Sequence, residues 1–290
     1  MKKLTGFVLP LIVLITFSLL FYSCKKDSAR SDQVPSGMNK FSIYLADDPA
    51  DYQQVLIDIQ SVAVKVDTCS GDNDDDHHHP GCDDHHDSLS THCEIWDTLN
   101  INPGVYDLLS LRNGVDTLLA SGFLLNGRIE RIKITLGNNN SVLVDSVSYP
   151  LHLIDNWNFV FINISRDHID SLSSNNLQLY LDFDVQRSIF HFNGEYWLSP
   201  VLRPFGHHSS GEIEGRIMPL HSYGTVTAFN ATDTAYAIPW WQGEFKIRGL
   251  HEGTYSVFID GINGFNDTTI NNVEVRRNHE TDLGGIQLNQ

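Results

Sequence analysis

Between Asp67 and Asp97 the chain carries ten acidic residues, six histidines and three cysteines, with no lysine or arginine. The imidazoles of His77, His78, His79, His85, His86 and His92 are ligands suited to zinc, nickel or copper, and Cys82 adds a thiolate. Asp74 and Asp76 bring hard oxygen donors to the same stretch. The expected ion is zinc or another divalent transition metal. Asp72, Asp74 and Asp76 also have the one-three-five spacing of a calcium loop, with Asp83 in twelfth place. His77 stands where that loop needs glycine and no helices flank it, so calcium ranks behind. The competing view of the same residues is a solvated acidic hairpin tip that holds any divalent ion loosely. Loose ligand spacing points to a buffering or scavenging site rather than a closed structural tetrahedron.

The elements around this stretch must bring it to an oxidising compartment. Lys2 and Lys3 precede an apolar run from Phe7 to Tyr22, the layout of an export signal. The run falls short of the roughly 20 residues that a membrane span needs and ends at Cys24, followed by Lys25, Lys26 and Asp27. Leu20-Phe21-Tyr22-Ser23-Cys24 resembles the lipobox of bacterial lipoproteins. The resemblance implies a signal peptide over residues 1–23, lipidation of Cys24, and attachment to a membrane by acyl chains rather than a spanning helix. The expected location is the cell envelope, at the outer membrane, with the periplasmic and surface faces both open. Cys69, Cys82 and Cys93 then remain for one disulfide and one thiol. Cys69 with Cys93 would close the necks of the insertion 67–97; pairing of either with Cys82 stays open.

Removing Lys2 and Lys3 with the signal takes the net charge from −17 to −19. No basic cluster exceeds pairs such as Arg276-Arg277, so nucleic acid is not an expected partner. Residues 24–39 read as a flexible polar tether with Ser28, Ser31, Pro35, Ser36 and Gly37. Beyond it, alternation of period two dominates: Phe41, Ile43 and Leu45; Val55, Ile57 and Ile59; Val62, Val64 and Val66; Leu179, Leu181 and Phe183. The parity change near Ser61 predicts a β-bulge. The predicted fold is all-β, two antiparallel β-sandwiches in tandem, over residues 40–205 and 211–290, joined by a linker at 206–210.

Other constellations are weaker. Asp182 and Asp184 share one face of a strand opposite Leu181 and Phe183, and read as its solvent side, paired with Arg187 or Arg203. Asp47 and Asp48 precede Pro49 in ordinary turn chemistry. Trp240 and Trp241 would send one indole into the core and expose the other, where it could stack on a sugar of an envelope glycan. His207 and His208 read as solvated linker residues. No Gly-Xaa-Ser-Xaa-Gly elbow, His-Glu-Xaa-Xaa-His helix or phosphate-binding glycine loop occurs, and a non-enzymatic binding or structural role is expected.

Two resemblances cover the rest. Leu45-Ala46-Asp47-Asp48-Pro49-Ala50, Tyr106 to Gly114, Leu181-Asp182-Phe183-Asp184 with Ser188, and Leu198 to Arg203 resemble landmarks of a lipoprotein domain of unknown function, DUF4382. That likeness implies a fold and a compartment and no mechanism. Gly215-Arg216-Ile217, Gly243 to Ile247, Leu250 to Val257, Val273-Glu274-Val275 and Leu283 to Leu288 resemble the carboxypeptidase regulatory-like, or transthyretin-like, sandwich. This implies an accessory β-domain of carbohydrate-binding-like fold, a likeness that does not by itself establish sugar binding; packing is the commoner use of such tryptophans as Trp240 and Trp241.

Overall fold

Alternating apolar residues build the molecule. Phe41, Ile43, Leu45, Val55, Ile57, Val62 and Val64 are all fully buried. The computed structural model describes residues 33–48, 52–69, 93–154 and 157–290. Residues 36–290 pack as one unit.

In chain order the first strands are β1 (Met38–Asp48), β2 (Gln54–Asp67), β3 (Glu94–Thr98), β4 (Asn100–Ile101), β5 (Gly104–Asp107), β6 (Thr117–Leu125) and β7 (Arg128–Leu136). Then come β8 (Ser141–Val144), β9 (Val147–Leu153), β10 (Phe159–Asn163), β11 (Ile169–Ser173), β12 (Asn176–Asp184), β13 (Ile189–Phe192), β14 (Glu195–Leu198) and β15 (Leu202–Phe205). A short helix α1 (Val185–Ser188) follows β12, and a 3-10 turn covers Leu108–Leu111, within the Tyr106 to Leu111 stretch read as helical. One sheet runs β11-β12-β1-β6-β4, with β15 also on β12. The larger sheet runs β10-β7-β2-β8-β9-β14-β13, with β3 and β5 also on β2. Their inner faces share one core, from Phe41 to Leu198.

A second core gathers Ile213, Ile217, Val226, Phe245, Tyr255 and Val257 among others. Its strands are β16 (Gly211–Met218), β17 (Tyr223–Phe229), β18 (Thr234–Ala237), β19 (Glu244–Leu250), β20 (Gly253–Gly261), β21 (Thr268–Val275) and β22 (Glu280–Gln287). They form sheets of order β19-β16-β22 and β18-β17-β20-β21.

The bulge expected near Ser61 is present: the β2–β7 register shifts between Ile59 and Ser61, which keeps Ile59 and Val62 both buried. Asp58 of β2, 2% exposed, accepts from the backbone and side-chain nitrogens of Asn139, just beyond β7, at 3.1 and 3.0 Å. Asn140 Oδ1 in turn accepts from the Asp58 backbone at 2.8 Å. Gly137 lies so close that a Cβ there would collide with the Asp58 carboxylate.

Two expectations change. The sheets are mainly antiparallel, but β1 with β12, β9 with β14 and β16 with β22 pair in parallel. Ordered strand also begins at Met38, inside the stretch read as tether. Among the described residues, no helix is long and apolar enough to cross a membrane.

Candidate functional site

The base of the His- and Asp-rich insertion is a regular hairpin. Ala63 to Asp67 of β2 pair with Thr98 to Glu94 of β3 in unbroken antiparallel register. Past the last pair, the Thr68 backbone and hydroxyl both donate to the Cys93 carbonyl at 2.9 Å, and the Cys69 amide donates to Asp67 Oδ1 at 3.0 Å. A disulfide joins Cys69 to Cys93, with Cα atoms 5.1 Å apart. Cys69 and Cys93, which flank segment 70–92 in the chain, are therefore fixed side by side. The expected ligands His77, His78, His79, His85, His86, His92, Asp74 and Asp76 lie outside the described residues, as do Cys82 and Cys24. Among the described residues, no group of three or more His, Cys, Asp or Glu side chains is arranged to hold a metal ion.

Asp182 and Asp184 do not face solvent: their exposures are 8% and 0%. Alternation turns them away from Leu181 and Phe183, as expected, but neighbouring elements cover that side too. Arg203, opposite Asp182 on β15, donates from Nη2 to Asp182 Oδ2 at 2.5 Å and from Nη1 to the Thr234 carbonyl at 3.0 Å. Asp184 caps α1, accepting from the Arg187 amide at 2.9 Å and from Arg187 Nε at 2.5 Å. Burial pushes the Asp182 carboxyl above its ordinary range, against the pull of Arg203. The pair is a structural junction held by arginines.

Asp170, 3% exposed, is a residue that no local pattern singled out. It accepts from the backbone amides of His207 and His208 at 2.6 and 3.0 Å, so the 206–210 connection is anchored. The His207 ring is not simply solvated. It packs against Tyr180 and Phe205, 4.2 and 5.7 Å between ring centres, and its Nδ1 lies 3.0 Å from Glu212.

Trp240 and Trp241 lie in a turn after β18 rather than on a strand, and neither indole enters the core. Trp240 is half-buried under the Arg112 guanidinium, 4.7 Å from its ring centre, while Trp241 is 70% exposed. Trp240 lines an open cleft of about 450 Å³ with Asn113, Glu214, Arg216, Lys246 and Asp282. At its rim Lys246 Nζ bonds Glu212 and Glu214, each at 3.1 Å, and also Glu280.

Burial raises the Glu212 carboxyl, but the His207 hydrogen bond and the Lys246 charge outweigh it and hold the group down at about 2. A carboxyl held below its unfolded value of 4.5 stabilises the fold above that pH and loses the contribution as pH falls toward 2. Urea midpoints measured across this window should decline more steeply in the wild type than in Glu212→Gln; matching slopes would discount the network.

Residues 38–200, more than half of the chain, match the model of the domain of unknown function DUF4382. The chain belongs to the DUF4382 family. The DUF4382 region includes the insertion, its disulfide base, Asp182 and Asp184, and ends just before β15, which carries Arg203. The first sheet of the DUF4382 domain is thus completed by a strand beyond the matched residues. Among curated proteins, none matches. Solved structures similar to the chain include the shaft pilin SpaA of Lactobacillus rhamnosus GG, at 9% identity over 87% of this chain and 98% of that one, TM-score 0.24. GBS52, the minor pilin of Streptococcus agalactiae, gives 9% over 86% and 97%, TM-score 0.22. The Bacillus anthracis TIE protein gives 11% over 95% and 44%, TM-score 0.23. At these scores no functional argument is drawn from them.

Proposed function

We propose that this DUF4382 protein is a lipid-anchored cell-envelope binding protein that captures a divalent transition metal, zinc foremost, through segment 70–92. The observation that carries the reading is the Cys69–Cys93 disulfide at the base of a segment holding six imidazoles. Tying the two ends together raises the local concentration of His77, His78, His79, His85, His86 and His92 about any ion that one of them binds. Asp74 and Asp76 neutralise part of the ion's charge. The anchor follows from the lipobox-like run ending at Cys24, and it puts the loop in the oxidising compartment that a disulfide requires.

Untagged mature protein should bind zinc or nickel in calorimetry, and deletion of 70–92 should abolish it. Binding should weaken as pH drops through about 6, where imidazole takes up a proton. In cells, Cys24→Ala should move the chain out of the membrane fraction. Equal metal uptake with and without the segment would sink the metal reading, and unchanged membrane association of Cys24→Ala would sink the anchor.

The second reading is glycan binding by the C-terminal sandwich, which we read as carboxypeptidase regulatory-like. Its seven strands in sheets of three and four support that assignment, and the exposed Trp241 indole supports the contact. Such binding would vanish in Trp241→Ala and ignore chelators.

A further inference from the structure

The outer face of the larger DUF4382 sheet carries a file of aromatic rings. Trp157 and Phe159 lie 6.1 Å apart between ring centres with planes only 11° from parallel, Phe159 and Phe161 lie 5.3 Å apart, and Phe161 reaches Trp96 of β3 at 6.0 Å. The file crosses from β10, an edge strand paired only with β7, over the sheet to β3. Trp157 is 69% exposed, Phe161 46% and Trp96 44%. Single exposed apolar side chains are ordinary, but a contiguous row of four rings marks an interaction surface.

Cations are interleaved with these rings. Lys133 Nζ stands 4.8 Å from the centre of Phe159 and 5.9 Å from that of Phe161; the Arg131 guanidinium stands 5.6 Å from Phe161. Among the described residues, neither Arg131 nor Lys133 forms an ion pair with a carboxylate, in a chain of net charge −17. Arg131 Nε donates to Asn163 Oδ1 at 3.0 Å. Beside it opens a shallow cleft of about 680 Å³ lined by Lys65, Arg128, Arg131 and Arg166 against Glu130 and Asp167. Lys65 and Arg128 both bond Glu130 there. Lys65 also bonds Glu94 at 2.7 Å, so Arg131 and Lys133 are the cations of this face that stand beside the exposed rings without an ion pair among the described residues.

We propose that this face binds an anionic polysaccharide. Sugar rings present weakly positive C–H faces that settle on the negative face of an indole or phenyl ring. A uronate or sulfate on successive sugars would meet Lys133, Arg131 and then Arg166 along the same track. The single-file layout suits a linear chain, and the acid groups supply the counter-charge that Arg131 and Lys133 lack among the described residues. An apolar protein partner would instead bury both cations without compensation. None of these residues belongs to segment 70–92, and none is Trp240 or Trp241, so the inference is independent of both proposals above.

The test uses the mature full chain against polygalacturonate, alginate and sulfated dextran, with methyl-esterified polygalacturonate as the uncharged form of the first backbone. Affinity electrophoresis and calorimetry should show binding to at least one polyanion that weakens with rising ionic strength. Trp157→Ala should reduce the affinity about tenfold. Arg131→Gln with Lys133→Gln should erase the preference for polygalacturonate over its methyl ester or, if a sulfated chain is the ligand, abolish retardation. Phe192→Ala, on an exposed ring elsewhere, should leave binding unchanged, and melting curves establish that each variant is folded. Failure of the wild type to bind any of the polyanions overturns the proposal, as does wild-type affinity in the Trp157 and Arg131/Lys133 variants. Tighter binding of a single-stranded oligonucleotide, or a dimer in sedimentation that Trp157→Ala dissolves, would give the face another occupant and equally overturn it.

Discussion

Arg203→Ala is expected to lower the stability of the chain by about 3 to 5 kcal/mol, the cost of stranding one partner of a buried ion pair. Asp182 lies in β12 between β1 and β15 and is 8% exposed, and the fully buried Asp184 follows two residues later. Arg203 is the cation that neutralises this corner, and its second arm reaches the Thr234 carbonyl of the other sandwich at 3.0 Å. Its removal leaves a carboxylate that water cannot hydrate, and Asp182 would be forced to take up a proton. Arg203→Lys keeps the charge but gives up the forked geometry, and should recover part of the loss. Arg187 provides the comparison. Its own side chain is half exposed, and Asp184 keeps the Arg187 amide when the guanidinium is removed, so Arg187→Ala should cost less than Arg203→Ala. Denaturant midpoints of the three variants decide the matter; similar losses for Arg203→Ala and Arg187→Ala would show that burial of the pair is not what counts.

The second large effect belongs to the disulfide. Replacing Cys69 and Cys93 together by serine should cost about 3 kcal/mol, because the bridge closes a loop spanning 24 positions and restricts the unfolded chain accordingly. Reductant should destabilise the wild type by the same amount and leave the double variant unaffected. The hairpin beneath the bridge also has its own registered pairs and the Thr68 to Cys93 bonds. If these let the base open separately, the loss will surface as faster amide exchange over Val64 to Asp67 rather than as a lower global midpoint. No change in either measurement would remove the bridge from the account of the loop. On the metal-binding function proposed above, zinc affinity of the same variant should drop as well, since the expected ligands would no longer share a closed base.

Much of the fold was legible because strand pleating has period two and one buried face enforces it. Phe41, Ile43 and Leu45, and the change of parity between Ile59 and Val62, show in sequence which residues are inside and where a bulge must fall. A strand's own pattern says nothing of what covers its other side. Asp182 and Asp184 therefore read as solvent-facing, when β15 and α1 close over them. The anchoring of His207 and His208 by Asp170 spans 37 and 38 positions and leaves no local trace. For Trp240 and Trp241 a signal was present. Pro239 precedes them, and Gly243 at φ +87 follows, so close to the Ile217 carbonyl that no side chain fits; together these make a turn. Trp157, Phe159 and Phe161 alternate in the sequence, but their continuation to Trp96 leaves no local trace, because Trp96 and Phe161 are far apart in the chain and meet only across β2 and β7.

The parallel pairing of β16 with β22 has a mechanical consequence. The chain enters the C-terminal sandwich at Gly211 and leaves β22 at Gln287, and because these two strands run the same way, entry and exit lie at opposite ends of one ladder. Tension drawn between them loads the Glu212–Glu280 to Met218–Gln287 rungs along their sliding direction, all at once, instead of peeling them apart singly. A module wired in this way behaves as a clamp in shear.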